Sequence, residues 1–508
     1  MAGIGVALFL ISFAGANPGG AVSDEPDQYV KAVAAGHLDL LGETVSTAEA
    51  RSMDSWLPVL HHILTSYPAF AQLARSYSIP SALDPRYLGC TFESVVATCL
   101  DRAVPQLPGP TETVVSSVGS YPPYIYLPAG LAMRLATGTA GALLVGRLTF
   151  ALIAALLLLA ALLIALRARP GPLTVAFIVL SVGPTSVLVM AGLSSSGPEA
   201  AAAIAWWLAL LAATEPQASR GPWWLALAAG LVCGISRSTG PIWLVLITAI
   251  VLVFRGPRVS WHAFRSGGSV AVAAVVACVV AGAATLGWQE AVQPAYQSLA
   301  PTLGDATPAM IGHILSQAVA VFGWGEAAPA PLMVQVWGLL VGGVVVIGVQ
   351  SAVRRRAWRE IAALLITCAA VVALTAGFLA FGSHAGVIQG RWFLAPLAGI
   401  PILSGWMAAT RSDVHPVTRS SRQASAVVIT GAAVCLGAFW WLNESRSAGD
   451  AGSIFFFGHA QWQPPLGWAP WLVSAVLGLL CLLVAGLAGD HDASAATPAR
   501  PVRSSPTV

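Results

Sequence analysis

The chain has 508 residues, 56% of them hydrophobic and only 9% charged, with a formal net charge of +3 and a mean hydropathy of +0.76. This composition excludes a soluble domain of that length. Apolar runs of roughly 18–25 residues recur, each long enough to cross about 30 Å of hydrocarbon, and nothing in the charge balance points to nucleic acid.

The first run, residues 2–16, is short. A signal peptide would need a basic leading segment, which is missing, and Ala14-Gly15-Ala16 matches a cleavage site only loosely. It therefore reads as a retained first span. Directly after it comes "SDEPDQYVKA" (23–32), where Asp24, Glu25 and Asp27 sit together. Pro26 fits the first position of a helix, and acids are favoured at a helix N-terminus, so a helix running to about Gly36 is expected. Three acids at that point could cap the helix, take a proton from a substrate hydroxyl, or hold a divalent cation.

Residues 17–138 form the largest loop, expected to be mostly helical. Trp56, Leu60, Ile63, Leu64 and Tyr67 recur near helical spacing, so this stretch predicts a helix lying on the membrane surface. Cys90 and Cys99 share one polar segment and predict a disulfide if that segment faces an oxidising compartment. The other five cysteines stand singly in apolar runs, as small buried hydrophobes do. The run "SYPPYIYLP" (120–128) brings Tyr121, Tyr124 and Tyr126, which could stack on sugar rings or simply mark the interface.

Further spans are expected at 139–166, 171–190, 199–213, 222–236, 240–254, 267–287, 332–352, 360–382, 392–409, 424–442 and 468–488. With 2–16 this gives twelve, and the fold class is all-α and polytopic. Arginines set the orientation. Arg167, Arg169, Arg220, Arg255, Arg258, Arg265, Arg354–Arg356, Arg359, Arg411, Arg419, Arg422, Arg500 and Arg503 all fall on one side, while the loop 288–331 has no Lys or Arg. The basic side is the cytoplasm of a bacterial plasma membrane and holds both termini. The acidic cluster, the loop 288–331 and a third loop at 443–467 lie outside. The tail 489–508, rich in Pro, Ser and Ala, reads as disordered. Almost every basic residue is Arg, with Lys31 the one lysine, a usage that fits a GC-rich genome such as an actinobacterial one.

On the outer side Arg237 and Arg391 sit at span ends, from which both could reach one lipid head group. Their planar forks suit a phosphate group, although long basic side chains also snorkel to the interface. His384 lies close to Arg391 in "GSHAGVIQGR". Arg147 falls inside the second span, where a charge is costly and faces a cavity or a partner; Glu199, at the start of the fourth span, is a candidate partner.

A first span, an Asp-Glu pair and a long outer loop with surface helices resemble the GT-C superfamily of membrane glycosyltransferases. Within it the sequence is most similar to a bacterial membrane family of unknown function with an Asp-Glu-Pro-x-His motif after its first span. The segments "YPPYIYLPAG" (121–130), "GRL" (146–148), "SSSGPEA" (194–200), "SRSTGPIWL" (236–244) and "QGRWFLAPLAG" (389–399) follow in the same order, and the resemblance covers about residues 5–410. Gln28 stands where that family has His, Glu199 where it has Asp, Arg237 where it has Lys, and Trp392 where it has Tyr. The change at Gln28 removes a titratable group.

The resemblance implies transfer of a sugar from a polyprenyl-phosphate donor to a glycan or lipid acceptor on the outer face. Asp24 would be the general base and Glu25 its helper. Arg237, Arg391, His384 and Arg147 would bind the donor phosphate, and Tyr121, Tyr124, Glu199 and Gln28 the sugar or acceptor. The donor carries one phosphate group, for which arginines could suffice without a cofactor; the acids at 24, 25 and 27 could still hold a divalent cation. A transporter or lipid flippase, a wall-polymer polymerase or ligase, and a non-catalytic assembly partner are the other readings.

Overall fold

The computed structural model describes residues 1–46, 74–86, 88, 96–101, 110–216, 218–292, 307–320, 331–381, 388–410, 417–449 and 455–495. Helix α1 (Ala2–Ala16) is followed by α2 (Glu25–Gly36), α3 (Tyr126–Met133), α4 (Thr139–Ala168), α5 (Pro172–Ser181), α6 (Pro184–Ala191) and α7 (Ser196–Ala213). Then come α8 (Gly221–Ser236), α9 (Gly240–Arg255), α10 (Pro257–Val292), α11 (Pro308–Ala320), α12 (Pro331–Arg354) and α13 (Trp358–Phe381). The series ends with α14 (Leu394–Leu397), α15 (Gly399–Ala409), α16 (Val417–Ala448) and α17 (Ala469–Ala495).

Every apolar segment expected to span carries helix. Among the described residues, seven helices are long and apolar enough to cross a bilayer, or eight if α5 and α6, bent by 68°, form one broken span. Gly3–Ala16, Gly221–Ser236, Gly240–Arg255 and Ala469–Ala485 are apolar but shorter. On α4, Leu148, Leu152, Leu156, Leu159 and Leu163 are exposed, while Phe150, Ala151, Ala154, Leu158 and Ala161 on the other side are buried. An apolar stripe facing outward is what a lipid solvent permits and water does not. Helix α7 is buried along its whole length, and α4, α8, α9 and α6 pack around it. It is the axis of the bundle. Segments 222–236 and 240–254 are separate helices: Arg237 between them is extended, with φ −153° and ψ 164°.

The loop 17–138 departs from the all-helical expectation. It contains a three-stranded antiparallel sheet, β1 (Glu43–Thr44), β2 (Arg75–Pro80) and β3 (Thr111–Ser116), in the order β1-β2-β3. Tyr77 pairs with Val114 and Ile79 with Glu112. On β2 Arg75, Ser76 and Tyr77 are all buried, so no alternation of apolar and polar residues marks the strand. The expected surface helix around Trp56–Tyr67 lies outside the described residues. Two further boundaries move. Helix α16 runs to Ala448, so Asn443–Ser447, expected in a loop, are helical and buried. Helix α17 continues to Ala495, into the stretch expected to be a disordered tail.

Helix α2 is also buried along its whole length. It belongs to a second core with Tyr29, Val33, Tyr77, Ile79, Val114 and Tyr126. Its close approach to α3 needs two glycines. A Cβ on Gly36 would stand 2.3 Å from the Gly130 carbonyl oxygen, and one on Gly130 2.1 Å from that of Ala32. The obstacles are backbone, so only separation of the helices could relieve them. Gly130→Val is expected to destabilise the fold by about 1–3 kcal/mol, read as a lower unfolding midpoint in detergent. An unchanged midpoint would show that the two helices are not held at this distance.

Candidate functional site

The turn between α1 and α2, "NPGGAVSD", places the acids. Gly20 has φ +80°, and Ala21 donates its N–H back to the Pro18 carbonyl. Glu25 opens α2, where the helix dipole favours a carboxylate, and it is fully buried. Its two oxygens accept from Arg147 Nε at 2.7 Å and Nη2 at 2.5 Å, from the backbone N–H of Gly20 at 3.0 Å and from that of Leu193 at 2.9 Å. Arg147 gives its remaining donors to the carbonyls of Ala14 (3.1 Å), Asn17 (2.6 Å) and Pro18 (2.7 Å). All five guanidinium N–H groups are thereby used. Arg147 is bound to Glu25 rather than to Glu199, and it has no donor left for a phosphate. Glu25 likewise has no free lone pair with which to assist a base. Both are positioning residues.

Asp24 is the N-cap of α2 and adopts a left-handed conformation, φ 59° and ψ 9°, without a side-chain capping bond. Its carboxylate instead takes Nη2 of Arg391. Arg391 Nη1 also donates to the Ser23 carbonyl at 2.8 Å and to Ser194 Oγ at 3.4 Å, and its Nε to Gln389 Oε1 at 2.6 Å. The Asp24 side chain keeps 13% of its surface accessible, whereas Glu25 has none and Asp27 only 3%. Asp24 is therefore the most accessible acid of the three.

The turn Ser194–Ser196, where α7 begins, joins the other groups. Ser195 N–H donates to Gln28 Oε1 at 2.6 Å, as does Tyr126 Oη at 2.9 Å, and Gln28 Nε2 donates to Ser194 Oγ at 3.3 Å. Arg237 Nη1 donates to Ser196 Oγ at 3.1 Å. Its guanidinium lies over the rings of Tyr121 (5.7 Å) and Trp392 (5.5 Å) and stands 3.8 Å from Glu199, whose Oε1 accepts from Thr239 at 2.7 Å.

Asp24, Arg391, Arg237, Glu199, Gln28 and Tyr121 thus converge on one serine turn. Tyr124 lies apart from it, edge-on to Trp288. His384 and Cys90 fall outside the described residues, as does the side chain of Cys99, so the proposed disulfide does too. The three acids do not share a cation. Each faces a different partner, and among the described residues no three His, Cys, Asp or Glu side chains gather as a metal site.

Two buried ionisable side chains of α2 escape a reading of the residues one at a time. Asp27 accepts the Ser117 N–H at 2.6 Å, and burial, with Asp24 adding repulsion, pushes its carboxyl up to about 7. Lys31 is fully buried and donates to the carbonyls of Leu40 (2.8 Å) and Gly119 (2.6 Å) and to Tyr77 Oη (2.8 Å). Its ammonium lies over the rings of Tyr77 and Trp288. Burial pulls its pKa down to about 7, with Asp39 opposing and Arg75 reinforcing. An isolated lysine in an apolar helix pattern was the available signal.

These shifts act in opposite directions on stability. Between the usual carboxylate range and about 7, the folded chain holds a proton on Asp27 that the unfolded chain has lost, so stability falls as pH rises. From about 7 to the usual lysine range, the unfolded chain carries a proton on Lys31 that the folded chain lacks, so stability rises. A minimum near pH 7 is expected in the unfolding midpoint against pH. Asp27→Asn should flatten the acid arm and Lys31→Met the alkaline arm; retention of both arms in both variants would refute the assignment. For the buried pair, Arg147→Met or Glu25→Gln is expected to cost about 3–5 kcal/mol by leaving its partner unpaired. Arg147→Met combined with Glu25→Gln should cost less than the sum of the two in a thermal-unfolding cycle.

No curated protein matches the chain significantly. A family model described as "Predicted membrane protein (DUF2142)" matches residues 7–400, a stretch that takes in the acidic turn, the serine turn, Arg147, Arg237 and Arg391. With its set of apolar helices, the chain is a multi-pass membrane protein, and it belongs to the predicted membrane protein family DUF2142.

Proposed function

We propose that the protein is a membrane glycosyltransferase of GT-C-like architecture that moves a sugar from a polyprenyl-phosphate donor to a glycan or lipid acceptor. In this reading the twelve apolar helices cross the plasma membrane of a bacterium, both termini are cytoplasmic and the acidic turn faces outward. The arginines collect at the opposite end of the bundle: Arg169 and Arg255 meet on Glu215, and Arg355 pairs with Glu360. That distribution supports the orientation.

One observation carries the reading. An accessible carboxylate, two buried arginines and a turn of serine hydroxyls occupy one site at the root of the large loop. Asp24 takes the proton from the acceptor hydroxyl. The acceptor oxygen forms a bond to the anomeric carbon as the bond from that carbon to the phosphate oxygen breaks. The phosphate leaves with the electron pair, on the face opposite the attack, so the centre inverts. Arg237 and Arg391 offset the charge that develops on the leaving phosphate. Arg391 holds Asp24 before the donor arrives. A phosphate that draws Arg391 towards itself loosens that contact and leaves the carboxylate facing the acceptor.

The protein in lipid, supplied with a polyprenyl-phosphate sugar and an acceptor, is expected to form a glycosidic bond. Asp24→Asn should lower the rate by roughly 10²–10⁴-fold, the usual range for loss of a general base, with the unfolding midpoint retained. Full activity in Asp24→Asn would remove Asp24 as the base. Movement of labelled lipid across vesicles without any new glycosidic bond would replace the transferase with a flippase.

A further inference from the structure

At the end of the bundle away from Asp24, a cavity of about 350 Å³ opens between the end of α4 and the turn from α7 to α8. Its lining includes Ile164, Arg167, Ala168, Glu215, Ser219 and Pro222. Glu215 is held from beside it. Arg169 Nη2 reaches its two oxygens at 2.9 and 3.1 Å, and Arg255 Nη2 and Trp406 Nε1 donate to Oε1. Both guanidinium groups lie 5.9 Å from the Trp406 ring.

That cluster fastens three helix ends, but its charge does not close. Arg169 and Arg255 exceed the single negative charge of Glu215; Glu360 also acts on Arg255 but is itself paired with Arg355, and Arg167 on the cavity wall adds a further cation. The Nε atoms of Arg169 and Arg255 are buried with no hydrogen-bond partner among the described residues, although buried guanidinium donors are normally satisfied. The cavity has room and Arg167 is the cation on its wall; Arg169 and Arg255 stand behind Glu215 and add positive charge there, with their unused Nε donors buried away from the lining. The apolar part of the wall, Ile164, Ala168 and Pro222, suits the region below a lipid headgroup.

We propose that this cavity binds a phosphate group, supplied by an anionic lipid headgroup or by a free phosphate, with Arg167 as its direct cation. The proposal is independent of the transferase reading, since it concerns the other end of α7.

Native mass spectrometry of the full chain, released from bilayers of equal phosphatidylglycerol and phosphatidylcholine, tests it. Phosphatidylglycerol should be retained about tenfold over phosphatidylcholine, the ratio given by roughly 1.4 kcal/mol of differential binding. Arg167→Gln, a change at an exposed position that leaves the Glu215 cluster in place, should bring the ratio towards one. Glu215→Gln, by removing the opposing charge, should raise it. Loss of the preference in millimolar inorganic phosphate, with a phosphate adduct that needs Arg167, would assign the site to free phosphate. Equal retention of both lipids with no phosphate adduct, or a preference unchanged in Arg167→Gln, would overturn the proposal. If Glu215→Gln fails to fold, the Arg167→Gln arm still decides.

Discussion

The ion pair between Arg147 and Glu25 fixes the geometry on which the site depends. Through five donors and four accepted hydrogen bonds it ties the end of α1, the turn 17–20, the first residue of α2, the body of α4 and the entry to the Ser194 turn. Taking both charges out of the solvent is costly, and a well-packed apolar pair of similar volume would often be as stable. What an apolar pair would lack is direction. A bidentate fork aligned on two carboxylate oxygens specifies where α2 begins, and Asp24 is the residue immediately before it. The side chain buried at position 25 thus sets the position of the accessible one at 24.

The same logic runs along α7. This helix is buried throughout and has little freedom to tilt, so whatever is attached to its two ends is held at a fixed separation. One end presents Ser194–Ser196 to Gln28, Arg391 and Arg237. The other ends in Thr214 and Glu215, an acid placed where the helix dipole disfavours it. Two arginines and an indole N–H offset that penalty. The central helix carries polar clusters only at its tips, and between them it buries Ala and Trp, with Trp207 donating to the Ala395 carbonyl at 3.1 Å.

Much of this was legible in the amino acids. The helical segments follow from apolar runs, and α2 ends at Gly36 as its composition predicts. Asp24, Arg237, Arg391 and Glu199 were singled out from charge placed at span ends. What could not be read was the choice of partner. Arg147 lies two turns inside α4, and both Glu25 and Glu199 sit at the right depth to meet it. Only the path of the turn 17–24 decides between them. The sheet is not legible because β1 is only two residues long and burial along β2 and β3 does not alternate. The place of the single lysine, Lys31, does not follow from the sequence, since its partners are backbone carbonyls and a tyrosine drawn from three separate stretches. The serine turn was recognised as a segment, yet its role comes from the groups that arrive from elsewhere.

Gln28 stands where the resemblance read from the sequence leads one to expect His. Its Oε1 accepts two hydrogen bonds, from Ser195 N–H and Tyr126 Oη, and its Nε2 donates to Ser194 Oγ. A neutral imidazole offers one acceptor nitrogen and one donor, so a histidine here would leave either the Ser195 N–H or the Tyr126 hydroxyl to find another acceptor. Glutamine satisfies all three partners and does so at every pH. The hydrogen-bonding work at this position therefore needs no proton exchange. One residue earlier, Asp27 has its carboxyl raised to about 7 by burial. The frame around the serine turn thus needs no titrating group at position 28, and the groups of α2 that burial moves towards neutrality are Asp27 and Lys31.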